Sequence, residues 1–343
     1  MENKKKVLLQ FQGLRAVAFL AIFISHSKWG GVISLGPWGV SIFFNLSGFL
    51  MMYNYYQHED SLNVGLKFTF NKIKKLYPLH IITMFIYIFY EVLILKYSIK
   101  EVIEISILHS LLIQTYIPYF KIYATLNGLS WYLCASVLSY FMFPIILKHL
   151  KKENKNIFKV LISFISIQII VALFASKFGN ESTLDNFSIQ WIIYYCPLTR
   201  LLDFIIGCCL GILFLEKEKQ KEMIVWPVWI FIFISLYFYD YMPEYIKYTL
   251  LFEPTTICII WLVANNQGLT SIILKNRILI KLGDLSPYTF LIHGICIKGS
   301  YIILPKLFKG MSSFNIVLVA FILTLILSMA WIKLEKEIFK IKK

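Results

Sequence analysis

The first apolar run of the chain, GLRAVAFLAIFISHS from Gly13 to Ser27, carries two side chains that a bilayer disfavours. A charge at the centre of a membrane helix costs from about 2.5 to more than 10 kcal/mol, so an ionisable residue there is a functional suspect by default. Eleven positions separate Arg15 from His26. At about 3.6 residues per turn this is almost three turns, so both point from one helix face, about 16 Å apart along the axis. Such a face would line a polar route across much of a bilayer. A planar guanidinium with five donors matches carboxylate, phosphate or carbonyl oxygens in a way an ammonium does not. The plainer alternative is that Arg15 pairs with an acid elsewhere and His26 sits at the interface.

Arginine is scarce in this chain. There are three, Arg15, Arg200 and Arg277, against 31 lysines, as though lysine serves wherever a plain positive charge suffices. Two of the three fall in apolar runs. Arg200 in TRLLDFIIG has Asp203 as a nearby alternative partner, and Glu91 and Glu253 are further acids that need partners inside apolar segments. In FTFNKIKKLYPLH, Lys72 and Lys75 stand three apart and are expected to share a helix face, where they could hold a phosphorylated ligand or simply anchor the segment. Ser47 and Gly48 in PWGVSIFFNLSGFLMMY are small enough for close approach of two membrane helices.

These residues need a scaffold, and composition says which. With 58% hydrophobic residues, 15% charged residues and a mean hydropathy of +0.69, the chain is not a soluble globule. Windows of about 20 residues predict an all-α, polytopic transmembrane bundle of about ten spans. They lie near 8–27, 37–56, 77–96, 128–148, 157–176, 190–214, 223–240, 248–265, 285–305 and 313–332. The segment 103–118 is apolar but short and reads as interfacial or partly re-entrant. The first run lacks a small-residue cleavage site and is read as a retained helix. Residues 1–343 form a single membrane domain in this reading.

Most of the 34 Lys and Arg fall in alternate loops and the two tails, which places both termini in the cytoplasm. The net charge of +15 then faces anionic lipid headgroups, and no nucleic acid is needed to explain it. The six cysteines fall in or beside spans with no C-x-x-C pair, so they read as small packing residues, and no metal is expected.

The same residues carry a family resemblance. An arginine and a histidine on the first span, GVSIFFNLSGFL after it, and a basic pair followed by Pro78 resemble the acyltransferase family 3 membrane proteins. LNGLSWYLCASVLSYFMFP, TRLLDFIIGCCLG and LGDLSPYTFLIHG resemble later segments of that family in the same order. Four positions depart from its pattern. Lysines replace the common arginines at 72 and 75, Ser136 stands where a glutamate often follows Trp131, and Ser41 stands where an acid is frequent.

The resemblance implies O-acylation, usually transfer of acetyl from cytoplasmic acetyl-CoA to a sugar hydroxyl presented outside the cell membrane. In that chemistry His26 is the catalytic base, since histidine titrates near pH 6.5 and suits proton transfer from an alcohol, and Arg15 is a fixed charge on the same helix face that positions the donor or a partner residue. Lys72, Lys75, Arg200 and Ser47 become candidate contacts of the acyl-CoA donor. Trp131, Asn127, Ser130 and His293 become candidate contacts of the glycan acceptor, and His58, His80, His109 and His149 look peripheral. The rival reading is a transporter or flippase for an organic anion or lipid-linked sugar, which intramembrane arginines also suit. No paired Gly or Pro interruptions support it. A noncatalytic scaffold would leave the intramembrane charges unexplained.

Overall fold

The computed structural model describes residues 8–27, 35–57, 65–216, 226–265 and 268–338. His58 lies outside them. Fifteen α-helices are present among the described residues. The first eight are α1 (Gln10–His26), α2 (Gly36–Tyr55), α3 (Leu66–Ile73), α4 (Tyr77–Leu93), α5 (Ile99–Ser110), α6 (Phe120–Ala124), α7 (Trp131–Lys152) and α8 (Ile157–Phe178). The rest are α9 (Pro197–Glu216), α10 (Trp226–Phe238), α11 (Glu244–Lys247), α12 (Glu253–Asn265), α13 (Leu269–Leu274), α14 (Arg277–Leu307) and α15 (Ser313–Ile338). No strand forms among the described residues, only an isolated bridge between Asn180 and Ser188.

Among the described residues, five helical runs are long and apolar enough to cross a membrane: Gly128–Lys152, Asn154–Phe178, Pro197–Glu216, Arg277–Leu307 and Ser313–Ile338. Helices α3 and α4 pass the same test as a pair but bend by 63° at their junction. Pro78 in the first turn of α4 suits a helix start, because its missing N–H is unneeded there. A helix also stands at every other expected span, but some are short. Helices α10 and α12 have 13 residues each, about 20 Å of rise against a hydrocarbon core of about 30 Å. In contrast α14 has 31 residues and begins before the apolar window, where the Asn276 side chain accepts from the Ile278 N–H at 2.8 Å. Segment 103–118 is broken into α5, a 3₁₀ turn at Gln114–Tyr116 and the loop that follows.

The bundle is assembled around α2 and α9. Gly48 on α2 faces the Phe204 carbonyl, and Gly207 on α9 faces the Asn45 carbonyl, so closely that a Cβ at either place would overlap backbone. Gly207 and Gly211 form a G-x-x-x-G spacing, which allows backbones to approach where the lipid gives helices no hydrophobic reason to associate. Helix α1 packs on α14 in the same manner, with Gly283 against the Gln12 carbonyl. Gly39 on α2 likewise faces the Ala18 carbonyl, so α1 is held closely against both α2 and α14.

Candidate active site

His26 closes α1. Its Nδ1 lies 2.8 Å from the carbonyl of Ile22, one turn back. A carbonyl only accepts, so Nδ1 carries the proton and Nε2 keeps its lone pair. His293 on α14 repeats the arrangement, with Nδ1 3.1 Å from the Thr289 carbonyl. The two rings meet edge to face with centroids 5.1 Å apart, and Phe19, Phe23 and Phe290 surround His293. The Nε2 of His293 is buried without a partner.

Two cavities meet at His26. One, of about 650 Å³, is walled by Trp131, Gln190, Tyr194, Tyr195, Tyr239 and Tyr248. The other, of about 760 Å³, is walled by Tyr87, Tyr123, Trp131, Tyr195 and Lys298. His26, Trp131 and Tyr195 belong to both, so the imidazole is reachable from two sides.

Tyr194 and Tyr195 arrive on a π-helical turn, Trp191–Tyr195. Pro197 explains the turn. The Ile193 carbonyl would accept from the N–H of residue 197 in an α-helix, and proline has none. Side chains fill the gap: Thr249 Oγ1 donates to the Ile193 carbonyl at 2.8 Å, Arg200 Nη2 reaches it at 2.6 Å, and Thr199 Oγ1 donates to the Ile192 carbonyl at 2.6 Å. Such π-turns are frequent at functional sites.

Arg200 is therefore occupied. It is 0% exposed, pairs with Asp203 at 2.8 Å and lies over the Tyr194 ring at 5.4 Å. Gln168 Nε2 donates to Asp203 at 2.7 Å, and Asn45 Nδ2 donates to Glu253 nearby at 3.2 Å. The expected donor contact at Arg200 is corrected: its guanidinium braces the π-turn and faces no cavity described above.

At the other end of the α1 face, Arg15, Ser47, Lys72 and Tyr140 are shared by two adjoining cavities of about 790 and 950 Å³. Among the described residues no acid pairs with Arg15; its Nη1 reaches only Gln12 Oε1, at 3.5 Å. Glu91 and Glu253 are thus not its partners. Lys72 donates to the Tyr55 hydroxyl at 3.0 Å and lies over the Tyr55 ring. Lys75 does not share its face. Helix α3 ends at Ile73, and Lys75 sits in the following turn, exposed and outside these cavities. Phe290 lines both the Arg15 cavity and the tyrosine-walled cavity of His26, and so separates the two ends.

The remaining expected contacts divide. Trp131 and His293 stand beside His26. Asn127 and Ser130 are fully buried and face no described cavity. Asn127 Nδ2 donates to Thr83 Oγ1 at 2.9 Å and to the Leu291 carbonyl at 3.1 Å, while Ser130 Oγ accepts from Gln114 at 3.1 Å. They shape the approach to α7. His80 and His109 are not peripheral either, being buried and bonded to the carbonyls of His109 and Ile122 respectively. The sequence reading passed over Tyr194 and Tyr195, although the aromatic pair before a proline in QWIIYYCP was a visible signal. Among the described residues no group of three or more His, Cys, Asp or Glu could hold a metal ion.

Helix α1 thus presents Arg15 to a basic cavity at one end and His26 to an aromatic, histidine-centred site at the other, with Ala18, Phe19 and Ile22 between them in place of a continuous polar route. Residues 8–332 match the family model Acyl_transf_3, an acyltransferase domain. The acyltransferase MdmB of Streptomyces mycarofaciens is 25% identical over 225 residues, 59% of this chain and 56% of the relative, so the chain spans little more than half the length of this curated relative. No solved structure matches. With nearly its whole length matched, the chain belongs to acyltransferase family 3.

Proposed function

We propose that the protein is an acyl-CoA-dependent O-acyltransferase of the cell membrane. It takes an acyl group, acetyl foremost, from coenzyme A on the cytoplasmic side and gives it to a hydroxyl of a glycan on the outside. The observation that carries this reading is the Nε2 of His26, without a hydrogen-bond partner among the described residues, at the junction of two cavities and on the helix face that leads to Arg15 and the cavity it shares with Lys72. The concentration of Lys and Arg in alternate loops supports a cytoplasmic Arg15 end with both termini inside.

Each residue then has a task. Arg15 and Lys72 complement the negative charges of the donor, Ser47 lies between them on the cavity wall, and the pantetheine arm extends past Phe290. At the far end the glycan hydroxyl approaches Nε2 of His26. Nε2 takes its proton as the oxygen attacks the thioester carbon, the carbon–sulfur bond breaks, and the proton passes to the departing thiolate. Trp131 and Tyr195 offer flat faces for a sugar ring, and His293 fixes the His26 ring from behind.

The test is transfer of label from [¹⁴C]acetyl-CoA to glycan by the full chain in nanodiscs. Label that depends on His26 supports the proposal. Movement of an unmodified glycan with no covalent label would replace it with the flippase reading.

A further inference from the structure

The two cavities that meet at His26 differ in charge. The one that abuts the Arg15 cavity across Phe290 has no Lys, Arg, Asp or Glu on its wall among the described residues. The other has Lys298. This lysine stands in the apolar part of α14, where a neutral residue would be less costly. It makes no ion pair among the described residues. Its ammonium lies 4.9 Å from the centroid of Tyr87 and 5.5 Å from that of Tyr90. Glu91, buried on α4, is near enough to couple with it electrostatically but not to bond it.

On the acyl-transfer reading, on which this inference rests, the donor enters from the Phe290 side. The Lys298 cavity is then the approach left for the acceptor. One ammonium without an ion pair, and with no second cation on that wall among the described residues, balances a single negative charge. Tyr87, Tyr123, Trp131 and Tyr195 provide apolar faces for a ring.

We infer that the acceptor is an acidic saccharide, that Lys298 binds its carboxylate, and that this contact sets which hydroxyl reaches Nε2 of His26. A charge-assisted hydrogen bond of this kind corresponds to roughly a tenfold to hundredfold preference over a neutral analogue.

The probes are octyl β-glucuronide and octyl β-glucoside, offered with [¹⁴C]acetyl-CoA to the full chain in nanodiscs of neutral lipid. The expected ratio of kcat/KM, glucuronide over glucoside, is about ten or more for wild type. It should fall to about one in Lys298→Gln and below one in Lys298→Glu. The double variant Lys298→Gln, Glu91→Gln should stay near one; a return to the wild-type ratio would mean that Lys298 only offsets Glu91, and would overturn the inference. Equal use of both probes by wild type, no transfer to the glucuronide, or an equal loss on both probes in Lys298→Gln, as expected if the lysine serves a lipid headgroup, would also overturn it. Acetyl-CoA binding by wild type is measured in parallel. If that binding is absent, the donor reading itself has failed.

Discussion

Arg200→Ala tests whether the most deeply buried cation of the chain serves the fold or the donor. The substitution leaves the Asp203 carboxylate, 0% exposed, with the Gln168 amide as its one remaining side-chain donor. Breaking a buried pair by removing one partner costs about 3 to 5 kcal/mol, a large share of a total stability of about 5 to 15 kcal/mol. The Ile193 carbonyl also loses one of two donors, with Thr249 left to hold the π-turn. Arg200→Lys keeps the charge beside Asp203 but cannot span to the carbonyl as well, and should cost about 1 to 3 kcal/mol. The sharper perturbation is Arg200→Met combined with Asp203→Leu. It removes both charges at similar volume, so it should be more stable than either single variant. The assay is equilibrium unfolding in mixed micelles with increasing SDS, read by tryptophan fluorescence, with donor KM measured on every variant that folds. If Arg200→Ala unfolds within about 1 kcal/mol of wild type while its donor KM rises, the bracing role is refuted and the guanidinium contacts the donor.

His26→Ala should abolish detectable transfer, since a general base contributes about 10² to 10⁴ in rate, while its unfolding curve stays close to wild type; more than about a tenth of normal transfer would refute the assignment. Arg15→Lys should fail almost as badly as Arg15→Ala if the planar fork matters, and near-normal kcat/KM in the lysine variant would show that charge alone suffices. Lys72→Ala should raise the donor KM several-fold with little change for the acceptor, whereas Lys75→Ala, altering a side chain outside the cavities, should leave it unchanged. Epitope tags at residues 1 and 343 should be protected in intact cells, and accessibility at either end would overturn the orientation.

The helices were legible where apolar length alone decides them, and less so where another force sets their ends. Hydropathy windows place α14 at 285–305 because RILIKLGD carries the charges of Arg277, Lys281 and Asp284, yet Asn276 caps a helix that includes it. For α10 and α12 the windows report apolar character without fixing helical length. Each helix stops at 13 residues, and α12 begins at Glu253, whose carboxylate is tied to Asn45 on α2. That tie joins residues far apart in the chain, so no local pattern announces it.

The site divides along the same line. Arg15 and His26 share a face by helical periodicity alone, and an unbroken α1 preserves it. Lys72 and Lys75 fail the same argument because periodicity holds only inside a helix, and α3 ends between them. Asn127 and Ser130 had the right chemistry and the wrong exposure, since each is consumed by a tertiary hydrogen bond. Arg200 is the instructive case. Its ion pair with Asp203 is an i, i+3 contact, and the donor gap at Pro197 is fixed by chain order, so both were legible locally. What the sequence could not show is that the Thr249 hydroxyl, brought from another segment, would accept from Arg200 at 2.6 Å and donate to the same carbonyl. With these contacts made, an arginine among aromatic rings serves to hold Tyr194 and Tyr195 at His26, which leaves Arg15, whose guanidinium no acid neutralises among the described residues, as the cation available for the donor recognition proposed above.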